Sequence, residues 1–155
     1  MFDRLSGDGR DAMARSREEA HRLGHDFIAP VHVVLAVLAT AGSVPAQALR
    51  NLRIDSDVVR TKIGESVPHR PATNVTGQLP FTPGAKVMLE TALEEAKALG
   101  HGHLSAAHLF LGALRADDTR FLGEYVMKAF RDAGLKPDEV RAEVLRLLAP
   151  QRGST

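Results

Sequence analysis

The chain contains one segment twice, and this internal repeat constrains the fold more than any other feature. Residues 18–38 read EEAHRLGHDFIAPVHVVLAVL and residues 94–114 read EEAKALGHGHLSAAHLFLGAL, at an offset of 76 positions. A later pair of segments, residues 48–60 and 129–141, matches at an offset of 81. The second copy therefore carries five more residues than the first between its matching blocks, since 81 exceeds 76 by five. Duplication followed by divergence of one loop would leave this pattern.

Both copies show the periodicity of amphipathic helices. In the second copy, Thr82 and Pro83 form a helix start signal, because threonine accepts hydrogen bonds from free N–H groups and proline is tolerated at the first position. Gly100 and its counterpart Gly24 are typical of helix ends, where a left-handed residue is often needed. The apolar stripe at helical spacing between start and end consists of Leu89, Ala92, Leu93, Ala96 and Leu99.

The segments that follow predict three further helices in each copy. A nearly apolar helix begins near Pro30 in the first copy and near Ala106 in the second, which indicates a buried central position. Helices are also predicted near residues 44–52 and 119–133, and each copy ends with one more. No segment shows the sustained period-two alternation of strands. We therefore expect an all-α fold of eight helices in two pseudo-symmetric four-helix repeats.

The length of 155 residues fits a single domain, which we expect to span residues 1–150. The first repeat is assigned to residues 1–67 and the second to residues 81–148. Residues 68–80 contain three prolines and a glycine and are therefore predicted to be a linker. Residues 151–155 form an unpatterned tail. Because each repeat alone would have a marginal core, the two are expected to share an interface.

Composition excludes several classes of function. The net charge of +1 and the absence of a basic stripe argue against nucleic-acid binding. No apolar run approaches the roughly 20 residues that span a bilayer, so no membrane partner is expected. The chain has no cysteine, which excludes disulfides and thiolate chemistry. Its first residues lack the basic-then-apolar pattern of a signal peptide, and a cytoplasmic location is the default expectation.

The repeat resembles the amino-terminal domain of Clp-family unfoldases, in particular the ClpC type. The resemblance covers roughly residues 1–148 and is carried by Met1–Leu5, by the two LGH…H…L…L segments and by the LPFTP sequence of residues 79–83 with Ala85 and Lys86. It implies a non-catalytic domain that lies ahead of two ATPase rings and receives substrates and adaptor proteins. No phosphate-loop motif occurs, so no ATP site and no cofactor are expected. Both a stand-alone relative and a piece of a longer chain fit this sequence.

The resemblance implies two sites that can be compared residue by residue. ClpC-type domains often recognise phosphorylated arginine through a Thr-Glu-His triplet in each repeat. The corresponding triplets here end in Val31-His32 and Ala107-His108. Both carboxylates are replaced by apolar residues, and a guanidinium needs an acidic partner to bind strongly. Phosphoarginine docking is therefore not expected at either triplet.

The second implied site is a hydrophobic patch that binds cyclic peptide antibiotics of the cyclomarin type. The matching residues are Phe2, Arg10, Phe81 and Lys86. Two phenyl rings supply apolar area for a compact peptide, while the two basic side chains can donate to its carbonyl groups. The alternative is that Phe2 and Phe81 only pack the two copies together, and both interpretations can hold at once.

The seven histidines do not predict a metal site. His25 and His32 recur as His101 and His108, and recurrence in both copies favours a structural role such as hydrogen bonding to a helix end. The paired carboxylates Glu18-Glu19 and Glu94-Glu95 are interpreted as solvated helix faces, because adjacent helical residues point about 100° apart and cannot form an acid/base dyad. No serine lies in a G-x-S-x-G context, so no catalytic residue is assigned.

Three hypotheses for function follow. The first is a non-catalytic peptide- or protein-binding module of the Clp protease system, a stand-alone ClpC-like domain that binds and sequesters cyclomarin-type cyclic peptides. The second is a docking module that presents substrates or adaptors to a Clp ATPase, with the ATPase or its protease as a partner. The third, from a different class, is a small hydrolase or metal-binding protein.

Overall fold

The computed structural model describes residues 4–71, 78–115 and 123–149, and these residues form eight helices. The predicted all-α fold of eight helices is thereby confirmed. Within the same ranges, the extended backbone pairs only at two isolated bridges. In chain order the helices are α1 (Gly7–Arg22), α2 (Pro30–Ala39), α3 (Val44–Asn51), α4 (Ser56–Ser66), α5 (Pro83–Ala98), α6 (Ala106–Arg115), α7 (Gly123–Asp132) and α8 (Pro137–Leu148).

The two copies begin their helices with the same capping chemistry. The Ser6 hydroxyl accepts a hydrogen bond from the Gly9 N–H at the start of α1. Thr82, at the matching position in the second copy, accepts one from the Ala85 N–H at the start of α5. Both helices end before a glycine with positive φ, +77° at Gly24 and +74° at Gly100. The start signal at Thr82 and the end signals at Gly24 and Gly100 therefore lie where they were predicted.

The apolar helices α2 and α6 lie at the centre of the molecule. Every residue of α2 from Pro30 to Leu38 is buried, and α6 is buried from Ala106 to Ala113. The two helices contact each other and also pack against α1 and α5, respectively. A helix with apolar residues on all sides is stable in water only when other helices cover every side, and the packing around α2 and α6 provides this cover.

The second halves of the two copies pack across the repeat boundary. Helix α3 contacts α8, and α4 contacts α7, so each copy completes its core with helices of the other. The main hydrophobic core that results contains buried side chains from all eight helices, including Phe110 and Phe130. A small second cluster of Ala20, Ile28 and Leu79 packs against Phe81. The shared interface expected from the marginal size of one repeat is present, and it is formed by exchange of helices rather than by contact of two finished bundles.

Backbone pairing ties the two copies together reciprocally. Leu104, just before α6, donates to the Arg4 carbonyl at 2.8 Å, and the Ser6 N–H donates back to the Leu104 carbonyl at 2.9 Å. In the mirrored contact, the Ile28 N–H donates to the Pro80 carbonyl at 2.8 Å and the Thr82 N–H donates to the Ile28 carbonyl at 3.0 Å. Each copy thus holds the segment that leads into the first helix of the other, and this places Phe81 beside Ile28.

A left-handed turn that follows α3 and α7 provides a first prediction. Arg53 has a φ of +68°, and Gly134, at the equivalent position 81 residues later, has a φ of +78°. A side chain strains this conformation by about 1–2 kcal/mol, partly offset by the greater freedom of glycine in the unfolded chain. We expect Arg53→Gly to raise the free energy of unfolding by about 0.5–1 kcal/mol and Gly134→Ala to lower it by about 1 kcal/mol. Urea denaturation measures both changes, and equal signs would contradict the prediction.

Candidate functional site: an apolar groove at the junction of the two copies

A groove with a volume of about 250 Å³ opens beside Phe81, and we call it the Phe81 groove. One wall is formed by α1, and the other by the segment that leads into α5. The bridge between Ile28 and Phe81 brings these parts together, so the groove is a product of the reciprocal backbone pairing. Its lining residues are Met13, Ala14, Arg17, Ile28, Gln78, Leu79 and Phe81.

The structure places three of the four residues of the implied antibiotic patch, and only Phe81 lines the groove. Phe81 is half-buried and lines the groove. Arg10 is exposed on α1, one helical turn before Met13, and its Nε donates to the Leu5 carbonyl at 3.4 Å. Lys86 is exposed on α5 at the position equivalent to Arg10, but it does not line the groove. Phe2 lies outside the described residues.

Apart from Phe81, the residues that line the groove were not predicted from the sequence. Met13 and Arg17 lie four residues apart on α1 and therefore share one face of that helix. Leu79 lies two residues before Phe81 in the LPFTP sequence, so its place beside Phe81 could have been predicted. Nothing in the periodicity indicated that Ile28 would pair with Phe81, because that contact joins segments more than 50 residues apart.

The phosphoarginine-type positions lie in the first turns of α2 and α6. Val31, His32, Ala107 and His108 are all buried, so the first and third of these offer no polar group at the surface. His32 accepts the Ala29 N–H on Nδ1 at 2.9 Å, and His108 accepts the Ser105 N–H in the same way at 2.9 Å. These imidazoles cap the helices, and neither triplet contributes a carboxylate.

The histidines of the first copy form a directed hydrogen-bond chain. Because His32 Nδ1 accepts the Ala29 N–H, the His32 proton lies on Nε2 and is donated to His25 Nδ1 at 2.8 Å. His25 then donates from Nε2 to the Pro68 carbonyl at 2.9 Å. Burial, reinforced by the nearby His25, lowers the pKa of His32 to about 3. His32 therefore remains neutral in the fold, and the structural role predicted for the recurring histidines is confirmed.

The second copy repeats this arrangement in a more open setting. His108 donates from Nε2 to His101 Nδ1 at 3.0 Å. Burial lowers the pKa of His108, with a smaller contribution from His101, while Asp8 and Glu95 act in the opposite direction. His101 itself is half-buried, whereas His25 in the first copy is buried.

The carboxylate pairs were interpreted only half correctly. Glu18 and Glu94 are exposed, as predicted. The prediction that Glu19 and Glu95 are also solvated is wrong. Glu95 is only 5% exposed and accepts hydrogen bonds from Arg141 at 2.7 Å and Arg115 at 3.2 Å. Its counterpart Glu19 is half-buried and pairs with Arg22, three residues later on α1, and with Arg60 of α4 at 3.8 Å. The cause is tertiary, because the basic partners on α8 and α4 come from distant parts of the chain.

The ranges that the structure describes contain no group of three or more histidine, aspartate or glutamate side chains that could hold a metal ion. In the same residues, no single helix has the length and apolar composition needed to cross a membrane. The pair α2 and α3 meets that test only together, with a bend of 75° between them, and by length and composition alone.

Comparison with known proteins establishes the family. The family model "Clp repeat (R) N-terminal domain" matches residues 4–125. The chain belongs to this family. It is 33% identical over 149 residues to the chloroplastic chaperone protein ClpC2 of Arabidopsis thaliana, which covers 96% of this chain and 15% of that protein. Chloroplastic ClpC of Pisum sativum is 31% identical over 155 residues, 99% of this chain and 16% of that protein. The chain thus spans about one sixth of the length of these relatives.

Solved structures of Clp N-domains share the fold of this member of the family. The N-terminal domain of ClpD from Arabidopsis thaliana superposes with a TM-score of 0.70 at 19% identity, covering 96% of this chain and 99% of that chain. The Hsp104 N-terminal domain from Candida albicans has a TM-score of 0.73 at 15% identity, covering 97% and 93%. A ClpV N-domain in complex with a VipB peptide has a TM-score of 0.68 at 18% identity, covering 95% and 88%.

Proposed function

We propose that this Clp N-domain is a non-catalytic docking module that binds peptide segments of partner proteins in the Phe81 groove. The observation that carries the proposal is the groove itself, an apolar cleft built where α1 meets the leading segment of the second copy. Family membership supports a docking role, and a ClpV N-domain of the same fold is known in complex with a VipB peptide. The partners we propose are substrates and adaptors of a Clp ATPase.

A finer proposal concerns the ligand. We propose that the groove also takes cyclic peptides of the cyclomarin type, so that the domain can sequester them. The groove holds about 250 Å³, slightly less than the roughly 300–1,000 Å³ of sites that enclose a whole drug-sized ligand. One or two apolar side chains of a cyclic peptide fit inside, and the rest of the ring would lie on the rim. Arg10, exposed on α1 beside the groove, could then donate to ring carbonyls.

We also propose that the domain spans residues 1–150 and that it works in the cytoplasm, although the relatives named above are chloroplast proteins. A small hydrolase or metal-binding function gains no support from the buried, helix-capping histidines. A titration with a peptide is therefore more informative than an activity screen.

The test is a calorimetric titration of the full chain with a cyclomarin-type peptide. We expect one-to-one binding that Ala14→Trp weakens at least tenfold, because an indole on this exposed groove position fills the cleft without removing core atoms. Phe81→Ala should also remove binding, but Phe81 packs against the core, so this variant alone could fail for structural reasons.

The matched control is Glu90→Trp, which places the same ring at the equivalent exposed position of the second copy. Binding should survive this change. If Ala14→Trp and wild type bind the peptide equally well, the peptide binds outside the groove. If neither binds while both are folded, the groove does not take cyclic peptides of this type, and only the proposal of substrate or adaptor docking is left.

A further inference from the structure

Basic side chains lie on the side of α1 that faces the Phe81 groove. Three residues form the α1 wall of the groove, namely Met13, Ala14 and Arg17. At about 100° of rotation per helical residue, Arg10 and His21 lie within roughly 35° of the middle of this wall, whereas Glu18 lies about 90° away from it. The residues that line the groove include one arginine and no carboxylate. The groove is therefore apolar inside and positively charged along α1.

Comparison of the two copies shows that the fold does not require this charge. The equivalents of Ala14 and Arg17 in the second copy, 76 residues later, are Glu90 and Leu93. Leu93 is half-buried and packs against the core, and Arg17 is half-buried at the same position of α1. An apolar side chain therefore suffices for packing at this position. The first copy has an arginine and lacks an acid, and both differences lie at the groove.

We infer that the Phe81 groove selects partner segments in which a carboxylate side chain lies two residues from a large apolar one, an inference that rests on the docking function proposed above. The apolar side chain enters the groove between Met13 and Phe81, and the carboxylate pairs with Arg17 or Arg10. Charge complementarity of this kind favours specificity over affinity. Arg17 already has a partner within the chain, but a guanidinium offers five N–H donors and can bind a further acceptor.

The spacing of two residues follows from the geometry of α1. Arg10 lies three residues before Met13 and Arg17 lies four residues after it, so each is about one helical turn, or roughly 5.4 Å, from the groove centre. An extended segment advances about 6.7 Å over two residues, and side chains two residues apart point to the same face. A segment that lies along α1 with an apolar side chain in the groove therefore places an acid at either second neighbour beside an arginine.

The experiment is an NMR titration of the full ¹⁵N-labelled chain with the acetylated and amidated peptides GDSFSDG, GNSFSNG and GKSFSKG. The blocked ends exclude a terminal carboxylate as the source of any difference. We expect shifts at the amides of Ala14, Ile28 and Phe81, and about fivefold tighter binding of the aspartate peptide than of the asparagine peptide. Two partly exposed ion pairs account for this ratio, since each contributes a factor of roughly 1.5 to 5. The lysine peptide should bind most weakly.

Three variants separate the charge from the packing. Arg17→Leu introduces the residue of the second copy, so it should bind the asparagine peptide as the wild type does while its preference for aspartate falls about twofold. The double variant Arg10→Glu with Arg17→Glu should reverse the order, so that the lysine peptide binds most tightly. The matched control is Arg15→Leu, at an exposed position on the far side of α1, which should retain the wild-type preference.

The outcomes distinguish this inference from the docking proposal. Equal binding of all three peptides at the groove would overturn the inference and leave the docking proposal intact. An absence of groove shifts with all three peptides at about 5 mM would contradict the docking proposal and the inference together. Groove shifts that depend on protein concentration without any peptide would assign the groove to a second copy of the chain, and this too would overturn the inference.

Discussion

Replacing Gly112 by alanine is expected to lower the free energy of unfolding by about 3 kcal/mol, because the central helix α6 has no room for one more carbon atom. An added Cβ would lie 2.3 Å from the Met88 carbonyl oxygen and 3.1 Å from the Ala92 nitrogen, both backbone atoms of α5. A side chain could rotate away, but backbone inside a helix cannot. Helices α5 and α6 would have to separate, and the core between them would lose packing. Urea denaturation measures the loss.

The matched control is Gly64→Ala in α4. This glycine is also helical, but an added Cβ there has nothing within 4 Å. Alanine is the better helix former by about 0.5–1 kcal/mol, so Gly64→Ala should stabilise the domain by that amount. Loss of stability in both variants would show that the close approach of α5 and α6 is not the reason for the effect at Gly112.

Lowering the pH from 7 to 4 is expected to destabilise the domain by about 3 kcal/mol through His32 alone. Burial holds the pKa of His32 at about 3 in the fold, while the same ring in the unfolded chain titrates near 6.5. Between these values the unfolded state binds one more proton than the folded state. Stability is therefore complete above about pH 6.5 and falls as the pH decreases toward 3. Urea denaturation at a series of pH values measures the slope.

The His32→Gln variant tests the assignment of this slope. It should be less stable than wild type at pH 7, because the cap on Ala29 and the hydrogen bond to His25 are disturbed. Its stability should depend less on pH between 6.5 and 4 by roughly one proton. His103→Gln, at an exposed position, should retain the wild-type slope. A wild-type slope in His32→Gln would assign the acid sensitivity to other groups.

Much of the local structure could be predicted from the residues. Thr82, Gly24 and Gly100 mark helix ends because capping and left-handed turns depend on the chemistry of single residues. The recurrence of His25 and His32 in the second copy correctly indicated a structural role. A repeated residue in a repeated local setting makes the same hydrogen bond, and His101 and His108 do so.

The candidate site could be predicted from the sequence only in part. Phe81 was singled out through the family resemblance, but Ile28 and Met13 beside it were not. Glu95 was assigned to a solvated face because its arginine partner Arg141 lies 46 residues away. Whether a charged residue is buried depends on the residues that pack against it from other helices. The periodicity of its own helix does not identify those residues.

The sequence by itself determined that this chain forms eight helices, that they come in two related sets, and that two of them are buried on all sides. These properties follow from interactions within one helix or one turn. Only the tertiary structure decided that α3 packs on α8 and α4 on α7, that each copy holds the leading segment of the other, and that a groove results beside Phe81. These contacts join residues far apart in the chain, and their choice depends on how complete surfaces fit together.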